Sequence, residues 1–333
     1  MTRAERTTRI RPLSTPKSAP LNFNAMPLAR VYAALTATGL VTRLLQLAHE
    51  EDLADVGDAT SLVCIDQRAR GTADMVARAP GVIAGLAAAP EIVRLFAPQC
   101  TLTLLAKDGQ AVTKGAKLAT LRGPVRQILA AERTLLNLVG RLSGIATRTR
   151  EFVRTMHAGP KLDKSIRGSL FDTRKTTPGL RVLEKYAVRC GGGACHRIGL
   201  HDAVLIKDNH IAGVTDRELP SAVAKAAAKA RSTWPGRLRF IEVEVDTLDQ
   251  FKALLTLPSG TINIVLLDNM PPPMLRKAVV LRDKLQPSLE LEASGGITLQ
   301  TVRKIAETGV DRLSVGSLTH GAVSLDVALD MRS

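Results

Sequence analysis

Arg174 and Lys175 stand side by side in "DTRKTTPGLR", which ends in Arg181, and Lys207 follows in "IKDNH", so two short stretches supply four cations. Arginine's planar fork takes a carboxylate bidentately, whereas lysine supplies a point charge. Carboxylates come next: Glu242, Glu244 and Asp246 alternate in "FIEVEVD", and Asp268 closes "IVLLD". Two glycine–serine loops finish the series, with Ser294, Gly295 and Gly296 in "ASGG" and Gly316 and Ser317 in "VGSL". Backbone N–H groups in such turns bind phosphate, above all ahead of a helix like the one expected at "TLQTVRKI". This order suits a polyphosphate accompanied by Mg²⁺, a cation held by one or two carboxylates plus the ligand's own oxygens. Glu244 and Asp268 are the expected carboxylates, directly or through water. Arg174, Lys175, Arg197 and Lys207 are left to hold a second anion.

The elements that must position these groups follow from the apolar rhythm. After residue 165 the chain alternates strand and helix, with strands expected at 168–173, 202–207, 239–246, 262–268, 289–293 and 310–315. Alternation of this kind implies a parallel sheet, and the continuous apolar runs favour a (β/α) barrel over an open doubly wound sheet. Residues at the carboxyl ends of barrel strands collect at the active face. Apart from Arg197, which precedes the strand at 202–207, the groups from Arg174 to Ser317 collect at such ends, and the acidic face of 242–246 is expected to look into the barrel mouth. No G-x-G-x-x-G follows a strand, so the dinucleotide-binding signature is missing. The glycines of "GGGACHRIG" precede a strand instead of opening a helix.

Upstream, residues 26–56 have helical periodicity, and 61–80 and 99–124 read as hairpins, which makes the first domain α+β. "LLAKDGQAVTKGAKLATLRG" has the small-β look of biotin or lipoyl carriers, but Lys107 and Lys114 are not placed at the exposed tight turn a carrier needs. A long helix is expected from about residue 127. It carries Arg133, Asn137 and Arg141 as a polar stripe between apolar flanks, so a buried partner is expected for the stripe.

A chain of 333 residues accommodates one large barrel or two ordinary domains. Its net charge of +15 favours an anionic partner, while aromatics at only 3% argue against stacked bases or sugars. No apolar run reaches the length of a membrane span. Four scattered cysteines point to a reducing compartment, and Cys190, Cys195, His196 and His201 match no zinc-site spacing. The first 22 residues are basic and rich in Ser, Thr and Pro with no apolar block, which excludes a secretory signal and suits either an organellar transit peptide or a disordered arm of a cytoplasmic protein, of which the arm is the expectation.

Read together, "ERTLLNLVGRLSGIAT", "DTRKTTPGLRVLEKYAVRCGGGACHRIGLHDAVLIKDNHI", "IEVEV", "VLLDN", "EASGGI" and "VGSLTH" closely resemble quinolinate phosphoribosyltransferase over roughly residues 44–330. The resemblance implies an α/β fold: a (β/α) barrel of the type II phosphoribosyltransferase kind over 141–319, with an α+β N-terminal domain over 23–140. Residues 320–333 are expected against that first domain. It also implies the conversion of quinolinate and phosphoribosyl pyrophosphate to nicotinate mononucleotide, pyrophosphate and CO₂ with Mg²⁺. Arg174, His196, Arg197 and Lys207 resemble the family's quinolinate-binding residues, and Lys175, Glu244 and Asp268 its contacts to Mg²⁺-phosphoribosyl pyrophosphate. Ser294, Gly295 and Gly316 resemble its phosphate loops, beside Gly296 and Ser317. Arg133 resembles an arginine lent across a homodimer, or across a hexamer built from such dimers. Two departures stand out: Cys195 replaces the family's usual asparagine, and 158–171 diverges. The rival readings are a same-fold enzyme of the molybdenum-transport-associated branch and a nucleic-acid-binding protein. The intact "IKDNH" and "DTRKTTPGLR" oppose the first. Scarce aromatics and the barrel carboxylates, which would repel a phosphate backbone, oppose the second, so neither nucleic acid nor membrane is an expected partner.

Overall fold

Helical periodicity near the start resolves into two helices, because Gly39 (φ 72°) breaks the run in the left-handed region. In the computed structural model, which describes residues 21–158 and 168–332, these are α1 (Leu28–Thr36) and α2 (Leu40–Leu53). There follow α3 (Ala59–Cys64), β1 (Arg70–Ala77), β2 (Gly81–Val82), α4 (Ala89–Phe96), β3 (Thr101–Leu104), β4 (Ala111–Val112), β5 (Lys117–Pro124) and α5 (Val125–His157). The second half runs β6 (Ser169–Phe171), α6 (Arg181–Gly191), β7 (Val204–Ile206), α7 (Leu219–Thr233), β8 (Ile241–Val245), α8 (Leu248–Leu254), β9 (Ile264–Asp268) and α9 (Pro272–Leu285). It closes with β10 (Glu290–Ser294), α10 (Val302–Ala306), β11 (Arg312–Ser314) and β12 (Val327–Met331). No single helix among the described residues is long and apolar enough to cross a membrane.

The first half forms a four-stranded antiparallel sheet in the order β12-β1-β5-β3. Its outermost member β12 comes from the C-terminal end of the chain and is fastened by Arg332 on Asp74 at 2.7 Å. The expected hairpin over 61–80 is only partly present. Asp58 accepts the Ser61 N–H and caps α3, so residues 59–64 are helical and extended structure begins at Arg70. Helix α5 extends for about 50 Å at 1.5 Å per residue, and it crosses the expected 140/141 domain boundary without a break. Gly140 and Gly144 admit the C-terminal segment across its surface: a Cβ at Gly144 would lie 2.0 Å from the Val323 carbonyl. Of the polar stripe, Arg141 alone finds a buried partner, Glu184, while Arg133 and Asn137 stay exposed.

All six strands expected after residue 165 are present; five are shorter than expected, and β10 keeps five residues but starts one residue later. They form one parallel sheet, β6-β11-β10-β9-β8-β7, flanked by helices in a barrel-like domain. The hydrogen-bonded ladder does not close. Between its two edge strands runs the segment 194–197, joined to β6 by a single bridge from Ala194 to Phe171. The core is continuous from Val31 to Leu325, so the two halves share one apolar interior.

Candidate active site

Strand register sorts the inward-facing side chains into layers, as in closed barrels. Glu244 pairs in register with Leu266, Leu266 with Glu292, and Glu292 with Arg312. Lys207 lies one residue beyond β7, level with Glu244, and the two form an ion pair. One residue pair higher lie Asp268, Ser294 and Ser314, at the carboxyl ends of their strands. Above them opens a cavity of about 1030 Å³, at the top of the range for a single small ligand. It is lined by Arg174, Lys175, His196, Arg197, Lys207, Glu244, Asp268, Ser294, Gly295, Gly296, Gly316 and Ser317. Every site residue expected from the sequence is therefore in one place except Arg133.

The acidic strand divides three ways. Glu244 reaches the cavity, Asp246 is exposed outside it, and Glu242 is fully buried one layer below. An interval of two residues along a strand is roughly 6.6 Å, enough to take Glu242 from the mouth into the interior. There it meets His196, whose Nε2 lies 3.1 Å from Glu242 and 3.3 Å from Glu292. Glu292 also accepts from Arg312 at 2.7 Å and from Ser314. Burial opposes protonation of His196, but Glu292 and Glu242 outweigh it and push the pKa up to about 9. The Arg197 N–H, 2.8 Å from Nδ1, acts in the other direction, because only an unprotonated nitrogen accepts it. That contact favours a neutral ring with its proton on Nε2, facing the carboxylates. Glu242 is raised by its burial and then by Glu292, consistent with a proton held in this cluster. His196, Glu242 and Glu292 lie close enough to hold a metal, but Glu292 already accepts from Arg312 and Ser314. Of the four residues considered for zinc, only His196 belongs to that group; Cys190 and Cys195 are free and buried.

At the mouth, Arg148, Arg174, Lys175 and Arg197 have no ion-pair partner among the described residues, and Nε of both Arg148 and Arg174 is buried without a hydrogen bond. Burial and the neighbouring Arg174 lower the pKa of Arg197. Arg197 is buried beside Arg174 with no carboxylate paired to it among the described residues, an arrangement that an arriving anion would stabilise. The Lys175 stem and the His320 ring both lie against Gly316: a Cβ there would meet Lys175 at 2.9 Å and His320 Nε2 at 3.4 Å. Gly295 (φ 91°) is held as tightly, since a Cβ would lie 2.2 Å from Oδ1 of Asn269. Asn269 is itself left-handed (φ 52°) and donates to Asp268 at 2.6 Å. The glycine loops differ from expectation in one respect. Helix α10 starts only at Val302 and has five residues, because Thr298 and Thr301 first bond each other in a turn. Loop N–H groups, and not a helix dipole, therefore face the cavity there.

Arg148 and His320 also line the cavity and were not legible in the sequence. Arg148 sits mid-helix among other basic residues, and His320 follows a short strand in a region with no periodic pattern. The segment 159–167 and residues 1–20 of the basic arm lie outside the described residues.

The cationic loop owes its shape to Glu184. This fully buried carboxylate accepts from the Thr177 N–H at 3.1 Å, the Thr177 hydroxyl at 3.0 Å and Arg141 at 2.9 Å. Beneath it, Lys185 pairs with Asp172 in complete burial. Glu184→Ala should destabilise the protein by about 2–3 kcal/mol, because it strands Arg141 and a loop N–H together. A denaturant titration will measure this. A loss below about 0.5 kcal/mol would show that water replaces the carboxylate at no cost.

Two family models match the chain: "Quinolinate phosphoribosyl transferase, C-terminal domain" over residues 145–330 and the corresponding N-terminal domain over 58–143. The nicotinate-nucleotide pyrophosphorylase (carboxylating) of Mycobacterium leprae is 41% identical over 286 residues, covering 85% of this chain and 94% of that protein. A quinolinate phosphoribosyltransferase (decarboxylating) of Nicotiana tabacum is 36% identical over 300 residues, covering 86% and 81%. Among solved structures, the nicotinate-nucleotide pyrophosphorylase of Francisella tularensis superposes with a TM-score of 0.76 at 35% identity, covering 94% of this chain and 99% of that one.

Proposed function

The chain belongs to the quinolinate phosphoribosyltransferase family, and from that membership we propose how its cavity divides between two anionic substrates. It is a pentosyltransferase of NAD biosynthesis: quinolinate and phosphoribosyl pyrophosphate give nicotinate mononucleotide, pyrophosphate and CO₂. The observation that carries the division is that Arg174 and Arg197, without ion-pair partners among the described residues, line the same cavity as the glycine loops, while Lys175 lies directly against Gly316 of those loops. Arg174, His196, Arg197 and Lys207 form the quinolinate end. Arg174 and Arg197 take the two carboxylates, and their mutual repulsion is relieved when the dicarboxylate enters. Lys175, Ser294, Gly295, Gly296, Gly316 and Ser317 form the phosphate end, with His320 and Arg148 beside them.

Glu244 and Asp268 suit Mg²⁺. Both are oxygen donors at the cavity, and Asp268 has no cationic partner among the described residues. Bound there, the ion neutralises charge on the pyrophosphate leaving group. The residues of the chain do the remainder. Positive charge develops on the ribose as the pyridine nitrogen displaces pyrophosphate, and the carboxylates of Glu244 and Asp268 favour that charge. Attack quaternises the ring nitrogen; as the adjacent carboxylate leaves as CO₂, the electron pair of the broken C–C bond stays on the ring carbon, stabilised by the neighbouring positive nitrogen, until a proton from solvent replaces the lost group. Holding two polyanions in reacting geometry is the chief contribution of the cations, and effective molarity supplies ~7–11 kcal/mol at best. The working unit is a homodimer in which each chain lends Arg133 to its partner. This reading is supported by the exposure of Arg133, 67% at the side chain, and by its absence from its own cavity. A hexamer of such dimers and a cytoplasmic location are compatible with the same reading.

Product analysis with quinolinate, phosphoribosyl pyrophosphate and Mg²⁺ tests it. Nicotinate, with one carboxylate fewer, leaves one arginine unpaired and should react at least about 100-fold less efficiently. Equal turnover of nicotinate without CO₂ release would defeat the assignment of the acceptor end.

A further inference from the structure

The segment 194–197 carries His196 and Arg197, yet it lies at the open seam of the barrel-like sheet. Beyond the bridge from Ala194 to Phe171, no strand among the described residues supplies hydrogen bonds to its backbone. The missing strand edge is supplied by one side chain 171 residues away. Asn24 Oδ1 accepts the Cys195 N–H at 2.7 Å, and Asn24 Nδ2 donates to the Cys195 carbonyl at 3.1 Å. A carboxamide presents the same donor and acceptor pair as a neighbouring strand, so Asn24 stands in for one β-ladder step. Its orientation is determined by the contacts, since a flipped amide would set N–H against N–H and oxygen against oxygen. The Cys195 thiol takes no part in the clamp; it is fully buried and turned toward the Lys185 carbonyl.

Asn24 is itself anchored. Its backbone carbonyl accepts from Arg189 at 3.2 Å, and Arg189 also donates to the Gly193 carbonyl at 2.8 Å. Phe23 lies under the Arg239 guanidinium, 5.8 Å from ring centroid to Cζ. Arg239 in turn donates to the carbonyls of His196 at 2.9 Å and Cys195 at 3.4 Å. On the barrel side, Asp172 accepts the His196 N–H at 2.9 Å. Residues 23–24 therefore grip the acceptor segment from outside while Asp172 grips it from within.

We propose that Asn24 is a positioning residue for the quinolinate end of the active site, fixing the segment that aims His196 and Arg197. The inference rests on the assignment of those two residues to quinolinate made above. Without the clamp the segment keeps Asp172, Arg239 and the bridge to Phe171 but loses the paired bonds that fix the Cys195 backbone, so Arg197 no longer meets its carboxylate while Arg174 holds the other. The phosphate loops make no bond to Asn24 and keep their own, Thr298 on Thr301 and Asn269 on Asp268.

Asn24→Ala should raise the quinolinate KM, and its dissociation constant measured by calorimetry on the full chain, about tenfold, equivalent to ~1.4 kcal/mol. The KM for phosphoribosyl pyrophosphate and the saturated kcat should change less than about threefold. Asn24→Asp keeps the acceptor for the Cys195 N–H and loses the donor, so it should fall between alanine and the native residue. It also carries the test should the alanine variant fail to fold. A folded Asn24→Ala protein with unchanged quinolinate affinity overturns the proposal. So does an equal loss for both substrates, which marks a purely structural role. Arg197→Ala run alongside separates the two readings: if it too leaves quinolinate binding intact, the acceptor assignment has failed and not the clamp alone.

Discussion

Lys175→Ala is expected to lower phosphoribosyl transfer by roughly 10³-fold in kcat/KM for phosphoribosyl pyrophosphate, or about 4 kcal/mol of transition-state stabilisation. The ammonium has no carboxylate partner among the described residues, and its stem lies against Gly316 at the phosphate end of the cavity. Its charge is therefore fully available to the pyrophosphate as the bond to ribose breaks. The fold should be unaffected, because the Lys175 side chain is exposed and only its backbone is used, accepting from Thr319 at 2.6 Å. Quinolinate affinity should stay within about threefold, since Arg174 and Arg197 hold that ligand. Steady-state kinetics with each substrate varied in turn will separate the effects. A drop of less than tenfold would remove Lys175 from the phosphate end, and a matching loss of quinolinate affinity would move it to the other.

The legible part of this site was the part carried by strand ends. Parallel strands buried on both faces read as unbroken apolar runs, so the residue that ends each run is conspicuous: Lys207, Asp268, Ser294 and Gly316 were found this way. Depth within the barrel was not legible. Alternation puts Glu242 and Glu244 on the same face, but only the packing of His196 against Glu242 shows that one is interior and the other in the cavity. Glu292 lay hidden in "LELEA" for the same reason. Partners distant in sequence were likewise invisible. Nothing near Arg141 announces Glu184, and nothing near Asn24 announces Cys195, because those contacts exist only after α5, α6 and the first residues of the described chain pack together. The expected helix N-terminus at the phosphate loop failed on a local matter: Thr298 and Thr301 satisfy each other in a turn, so the helix begins after them.

Arg133→Ala should weaken quinolinate binding by about 1.5–3 kcal/mol, the contribution of a charge-assisted hydrogen bond, and leave stability unchanged. Within its own chain the side chain is solvent-exposed, and its one ion-pair partner among the described residues is Glu132, at 3.7 Å. Its removal has no consequence for a lone subunit, so any loss of affinity must come from a site completed by the partner. A stricter test pairs this variant with Lys175→Ala. In a symmetric dimer each site combines one chain's cavity with the other chain's arginine. A mixed dimer of the two variants has one site with both lesions and one with neither. The intact site takes its cavity from the Arg133→Ala chain and its arginine from the Lys175→Ala chain. If the chains exchange at random, half the dimers are mixed and each has one good site, so about a quarter of native activity should return from two impaired proteins. Exchange can be followed independently by labelling each variant and reading energy transfer between them. Exchange without recovered activity would mean that Arg133 acts, if at all, within its own subunit, and the shared site would have to be abandoned.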